Sequence, residues 1–312
     1  MANGDRGLGR TGVWSDFDSL PVDDALAYAA EVESLGYGTL WVPDVVGREP
    51  FTLLGLLAQA TSSIGLGTSI VSIWGRDAQA TRMATLTLQE ATGGRFTLGL
   101  GVSHLHLAQK LRGHIYERPL TRMREYLAAY RSAIYKGPMP EGMREPLVLV
   151  AALRERMLTL AATAADGAFP YLVTLERLAW ARRVLDAANT MERPILAASL
   201  PCVLETDPDT ARATARAYLT HYLRTPNYRA AWAEQGFEEA DWDKPGSDRL
   251  VDAMVAWGDA DALRGRLGEV LAAGADHVAI VPLTPAGDTA ELPVLEALAG
   301  QPSSHPDGRM AS

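Results

Sequence analysis

Apolar residues fall along this chain in eight short continuous runs, each followed by a stretch with helical spacing. The runs cover 11–14, 39–44, 65–74, 95–102, 146–153, 167–173, 194–204 and 277–283. They are rich in Val, Ile and Leu and do not alternate with polar positions. Strands covered on both faces of a parallel sheet read this way. Between them the spacing predicts helices starting near Pro21 and over about 50–62, 78–92, 118–135, 155–165 and 175–189. The first has Pro21 early, Asp23 and Asp24 in its first turn and Gly36 just past its end, which is ordinary helix punctuation. Val22, Ala25, Ala29 and Val32 recur at three- and four-residue spacing, so one face is buried. Asp77 is placed to cap the third helix. Eight strand–helix units predict an α/β chain folded as a closed (β/α)8 TIM barrel. A doubly wound sheet is the alternative, though it rarely needs eight regular units.

One unit is oversized. Residues 205–275, between the seventh and eighth strands, hold far more than one helix and carry Tyr218, Tyr222, Tyr228, Trp232, Phe237, Trp242 and Trp257. This reads as a helical insertion, either packing its own small core or walling the barrel mouth. The expected organisation is a single barrel domain over 1–300 with a disordered tail over 301–312.

Composition narrows the partners. The formal net charge is -9, which argues against nucleic acid, because backbone binding needs a positive surface. No run approaches the ~20 apolar residues that span a bilayer. The opening MANGDRGLGR lacks an apolar signal core, so a cytoplasmic location is expected. The single cysteine, Cys202, excludes an internal disulfide and fits a reducing compartment. Lysine occurs only at 110, 136 and 244, and none ends an apolar run. Schiff-base chemistry, which wants a desolvated lysine, is therefore not expected.

The segment RFTLGLGVSHLH, 95–106, resembles the start of a dinucleotide-binding loop, but His104 stands where the third glycine belongs. As a barrel strand it would deliver His104 to the mouth, where strand ends carry the site. The other strand ends offer Trp14, Asp44, Ser69, Trp74, Arg154, Glu155, Tyr171, Cys202 and Thr284. His104 and His106 have the spacing of a metal-binding pair, yet His114, His221, His277 and His305 do not stand at other strand ends. No metal is expected. There is no G-x-S-x-G elbow and no P-loop.

Four segments in order, LGYGTLWVPD, ATSSIGLGTSIVSIWGRD, GGRFTLGLGVSH and AATAADGAFPYLVT, resemble the bacterial luciferase-like monooxygenase superfamily over about residues 10–285. That resemblance implies a (β/α)8 barrel binding coenzyme F420 or FMN, with the F420-dependent subgroup the nearer match. It also implies a homodimer acting on a small-molecule substrate, with no nucleic acid or membrane partner. In F420-dependent members LGTSI carries a non-prolyl cis peptide, which would here be Ser69–Ile70. The GLGVSH end implies cofactor contacts at Val102 and Ser103. His104 stands where sugar-phosphate dehydrogenases of the family hold a proton-donating glutamate, so it is the candidate proton partner.

Asp44 matches an acidic residue beside the cofactor and is a candidate catalytic and cofactor-binding group. The family's sugar-phosphate enzymes follow it with a catalytic histidine; here Val45 follows, and no lysine is placed to clamp a sugar phosphate. A less polar substrate is expected. The stretch AALRERM matches the phosphate-binding loop and helix start, assigning Ala152, Leu153, Arg154 and Glu155 to the cofactor. Free N–H groups at such a helix start attract anions. PYLVT adds Tyr171 and Leu172, while Trp14, Trp74, Tyr228 and Trp257 suit a substrate wall. The expected activity is hydride transfer between F420 and an organic substrate. An FMN-dependent monooxygenase and a non-catalytic cofactor-binding barrel are the alternatives.

Overall fold

The computed structural model describes residues 7–188, 190–285 and 289–300. The expected tail at 301–312 lies outside them. In chain order the elements are β1 (Thr11–Trp14), α1 (Val22–Ser34), β2 (Thr39–Val42), α2 (Pro50–Ala60), β3 (Gly65–Thr68), β4 (Val71–Ser72), α3 (Ala78–Ala91), β5 (Phe96–Gly101), α4 (Pro119–Ser132), β6 (Leu147–Val150), α5 (Glu155–Ala164) and β7 (Gly167–Ala168). There follow α6 (Leu175–Ala187), β8 (Ile195–Leu204), α7 (Pro208–Leu219), α8 (Pro226–Ala233), α9 (Glu239–Trp242), α10 (Asp248–Met254), β9 (Ala256–Gly258), α11 (Ala260–Ala272), β10 (His277–Pro282) and α12 (Pro293–Leu298).

Every strand pairing is parallel, in the order β10-β1-β2-β3-β5-β6-β7-β8, and β10 pairs with β8 to close the ring. This is the (β/α)8 barrel. The third barrel strand is split: β3 pairs with β5 at Leu66 and Gly67, and β4 resumes at Val71 and Ser72. The sixth apolar run is strand only at Gly167–Ala168, and Leu172 further along takes a left-handed backbone.

The oversized unit, 205–275, holds both a barrel helix and additional helices. Its last helix, α11, packs on β8, β10, α6 and α12 and is the barrel's own seventh helix. The segment in excess of the repeat therefore ends at β9, which extends the sheet beside Cys202–Leu204 of β8. This segment has no separate core. One buried apolar cluster joins the barrel interior (Trp41, Leu149, Phe169, Ala197, Ala279) to Leu219, Leu223, Tyr228, Trp232 and Leu250. The extra helices thus continue the barrel interior past the strand ends.

The opposite end is sealed by a polar plug. Trp41 Nε1 donates to His277 Nε2 at 2.9 Å, and His277 Nδ1 lies 2.8 Å from the Gly9 carbonyl. A ring accepting at Nε2 carries its proton on Nδ1, so the imidazole is neutral and serves packing. On the outside, Glu33 at the end of α1 accepts from the backbone N–H groups of Ser62, Ser63 and Ile64 before β3. Partial burial pushes this carboxyl up, but the three N–H donors outweigh it and hold the group down to about 2.

Candidate active site

β5 ends at Gly101, and Ser103 then turns the chain with a φ of 54°. A left-handed non-glycine backbone is uncommon and is retained where its surroundings demand it. The turn delivers His104 to the mouth. Its ring lies 6.0 Å from that of His106, with 4° between the planes, and 5.4 Å from Tyr228 of α8. His104 Nδ1 is buried and has no hydrogen-bond partner among the described residues. Burial, and then the neighbouring His106, lower the imidazole to about 4. His104 is therefore neutral at physiological pH, not poised between charge states as its ordinary value suggests. A neutral ring can accept a proton at one nitrogen and donate a hydrogen bond from the other.

The glycines of this strand serve the fold. A Cβ on Gly99 would lie 2.0 Å from the Thr68 carbonyl oxygen, and one on Gly101 would lie 2.5 Å from the Ile70 side chain. What comes close to them is the neighbouring split strand rather than open space for a ligand. Thr68 Oγ1 also sits between the Gly99 N–H and C=O, at 2.8 and 2.9 Å. The Ser69–Ile70 peptide is cis, at the place where the resemblance puts that bond in F420-dependent members. Trp14 Nε1 donates to the Ser69 carbonyl at 2.9 Å, and the Asp44 N–H donates to that of Ile70.

Asp44 is committed more heavily than its expected roles foresee. Its Oδ1 accepts from Arg112 Nη2 at 2.7 Å, and its Oδ2 accepts from the Ser72 N–H at 3.1 Å. Its charge is balanced by a residue that sequence reasoning did not single out. Arg112 follows a π-helical turn, Leu107–Leu111, in the segment between β5 and α4. The pair ties the β2 end to that segment. As a positioning group Asp44 is well placed; as a free carboxylate for catalysis it is not.

The wall over the mouth is aromatic. The Tyr171 ring lies 6.3 Å from Trp14, 5.6 Å from Tyr222 and 6.4 Å from Tyr228. Tyr222 and Tyr228 meet edge to face at 5.2 Å. Burial keeps these phenols neutral: Tyr222 is pushed up to about 12, and Tyr228 well above the ordinary phenol value. Behind them Trp232 Nε1 donates to the carbonyl of Leu172, whose φ is 53°. Trp74 belongs to a second group: its ring contacts His114 and Tyr116, and its Nε1 donates to the Val102 carbonyl. Trp257 stands apart on β9, with its N–H on Asp252 and its face under Arg212. Those contacts give it a packing role, and the expected place on the substrate wall gains no support from them.

The α5 start is open. Arg154 occupies its N-cap without a side-chain cap, Ala152 is buried, and Glu155 lies in the first turn. By contrast Thr174 caps α6 through the Arg177 N–H. Arg177 Nη2 holds the Leu153 carbonyl at 2.7 Å. Glu234, just after α8, pairs with both Arg177 and Arg154. A helix start with free N–H groups beside two arginines fits a phosphate. Among the described residues no group of three or more His, Cys, Asp or Glu side chains could hold a metal ion, and no helix is long and apolar enough to cross a membrane.

Parallel barrel, split third strand and a populated set of strand ends define a barrel enzyme scaffold, and comparison with known proteins agrees. Residues 8–277 match the family model described as luciferase-like monooxygenase. The chain belongs to that family. A protein of Mycobacterium tuberculosis named for coenzyme F420-dependent oxidoreductase activity is 33% identical over 111 residues, 36% of this chain. That stretch is 32% of the relative, so the match spans about a third of its length. The coenzyme F420-dependent tetrahydromethanopterin reductase of Methanopyrus kandleri superposes with a TM-score of 0.71 at 19% identity, covering 93% of this chain and 97% of that one. The FMN-bound oxygenating component of 3,6-diketocamphane monooxygenase from Pseudomonas putida gives 0.70 at 15% identity, covering 93% and 96%. Proteins that use either cofactor therefore share this fold.

Proposed function

We propose that this protein is an F420-dependent oxidoreductase that transfers a hydride between the deazaflavin and a small, weakly polar organic substrate. The observation that carries this reading is His104: a neutral imidazole at a barrel-strand end, with a buried Nδ1 left unpaired beneath an aromatic wall. A buried polar atom without a partner is costly, of the order of 1–3 kcal/mol, and is retained where a ligand supplies the missing bond. Sequence similarity to a protein named for F420-dependent oxidoreductase activity supports the choice of cofactor.

The backbone around Val102, Ser103 and Ser69–Ile70 would hold the ring system. The open α5 start, Ala152 to Glu155, and the Tyr171–Leu172 turn would hold the phosphate-bearing part. When bound, the cofactor supplies the two-electron chemistry as hydride. The chain's own share is orientation and proton handling. His104 takes a proton from the substrate hetero-atom, or hydrogen-bonds to it, at Nδ1. The parallel His106 ring and the tilted Tyr228 ring pack against it. Trp14, Tyr171, Tyr222 and Tyr228 exclude water and present neutral faces, which suits a substrate without strong charge.

Titration of the purified protein with F420 and with FMN, followed by fluorescence, tests the cofactor. F420 binding in the micromolar range or tighter is expected. Tight FMN binding without F420 binding would transfer the reading to an FMN-dependent monooxygenase. Failure of any compound in a broad screen to reduce or oxidise bound F420 would leave a non-catalytic barrel.

A further inference from the structure

Between β5 and α4 the chain from Ser103 to Arg118 is docked on the barrel by few side chains. Both ends take a left-handed backbone, Ser103 with a φ of 54° and Arg118 with one of 46°. Among the residues between them only Ala108 is buried. Leu105, Leu111 and Ile115 are 49%, 55% and 70% exposed, so apolar burial does little to hold the segment down. Its middle is nevertheless one unit. The Ala108 N–H donates to the His104 carbonyl at 2.9 Å, the Arg112 N–H to that of Leu107 at 3.1 Å, and the His114 N–H to that of Ala108 at 2.9 Å. These bonds link His104 to Arg112, so a shift of one carries the other.

Arg112 docks this unit. Its Nη2 donates to Asp44 Oδ1 at 2.7 Å, and the two side chains are only 26% and 15% exposed. An ion pair so shielded is screened less than one in open solvent. The guanidinium also lies against Gly75, where a Cβ would come within 2.7 Å of Nη1. Asp44 is itself a fixed anchor. Its N–H donates to the Ile70 carbonyl at 3.3 Å, and its Oδ2 accepts from the Ser72 N–H at 3.1 Å. Other contacts of the segment are between rings: Trp74 with His114 and Tyr116, and His104 with Tyr228.

We propose that Arg112 is a positioning residue for His104: latched on Asp44, it holds the segment from Ser103 to Arg118 against the ends of β2 and β4, and so keeps the imidazole against Tyr228 and shielded from water. Its bearing on hydride transfer rests on the reading of His104 as the proton partner; the placement of the imidazole does not. Without the latch, Ser103 and Arg118 relax from their left-handed backbone, the turn lifts, and water reaches the ring. The titratable rings packed on His104 are His106, from the same segment, and Tyr228, from α8. Neither is altered by a substitution at Arg112 or Asp44.

The test compares wild type with Arg112→Gln, Asp44→Asn, the double variant and Arg112→Lys, all without cofactor or substrate. His104 is titrated by NMR, and amide hydrogen exchange is followed along the chain. In both single variants the imidazole should rise from about 4 by roughly a unit as water returns. Amides over 104–114 should exchange about tenfold faster, while those of β5 and β6 keep their rates. The double variant should match the single ones rather than add to them. Arg112→Lys, which keeps the charge but not the planar fork, should recover part of the loss. The sign separates position from charge alone. Through space, losing the Arg112 cation raises the His104 value and losing the Asp44 anion lowers it, whereas release of the segment raises both. Asp44→Asn therefore decides by itself should Arg112→Gln not fold. A lowered or unmoved His104 in Asp44→Asn, or unchanged exchange over 104–114, would overturn the proposal. So would exchange that quickens equally in the barrel strands, which marks a general loss of stability. Binding of F420 or FMN enters none of these outcomes, so the cofactor reading stands or falls separately.

Discussion

His104 offers the sharpest quantitative test, because its neutrality is a product of neighbours rather than of the residue. The drop from 6.5 to about 4 corresponds to roughly 3 kcal/mol opposing protonation. Burial is the larger cause and the nearby His106 the smaller. Tyr228 packs 5.4 Å away, so removing its ring admits water. In Tyr228→Ala the imidazole should move back toward 6.5 by a unit or more, whereas His106→Asn should move it less. Tyr228→Leu keeps most of the buried volume and guards against loss of the fold. The assay is an NMR titration of the imidazole C–H signals between pH 4 and 8, assigned by comparison with His104→Asn. The same displacement bears on stability. The unfolded chain binds this proton below about 6.5 and the folded one only near 4, so stability is lost as pH falls through that window. Wild type should therefore lose more stability than His104→Asn between pH 7 and 4.5. A wild-type His104 signal titrating between 6 and 7, or one indifferent to Tyr228→Ala, would refute the desolvation argument and with it the neutral-base role.

Two further substitutions probe the scaffold. Gly99→Ala places a methyl group 2.0 Å from the Thr68 carbonyl and should cost about 3 kcal/mol or more in thermal unfolding. Gly268→Ala on α11, where nothing lies within 4 Å, should instead stabilise by roughly 0.5–1 kcal/mol. Equal effects at the two positions would contradict the close approach of β3 and β5. Glu33, held down to about 2, contributes stability that is full above about 4.5 and is lost as pH falls toward 2. Partial exposure limits that contribution to about 1–2 kcal/mol. Urea unfolding should show Glu33→Gln weaker by this amount at pH 7, with the difference from wild type fading below pH 4.

Much of the candidate site was legible, and the reasons are local. Strand ends follow from where apolar runs stop, so the sequence alone puts Trp14, Asp44, Ser69, His104 and Tyr171 at the barrel mouth. Residues that define the state of those groups were not legible. Arg112, 68 positions from Asp44, lies in a segment without clear periodicity. Trp232, 60 positions from Leu172, read only as one aromatic of an insertion. Glu234, which pairs with Arg154 and Arg177, carries no signal in the sequence that sets it apart from other acids. Where the insertion ends within 205–275 was not legible either, since α11 has the spacing of any other helix and only its neighbours identify it as part of the barrel.

The sequence by itself determined the alternation of buried strands and amphipathic helices, and hence the closed parallel barrel with its chemistry at one end. These are consequences of short-range spacing, because burial on two faces or one stripe leaves a period in the chain. Only the tertiary structure decided that Asp44 is paired with Arg112, that Gly99 and Gly101 admit a neighbouring strand, and that His104 is uncharged. Charge state and pairing depend on what comes within a few ångströms from elsewhere in the fold, and distances of that kind leave no period to read.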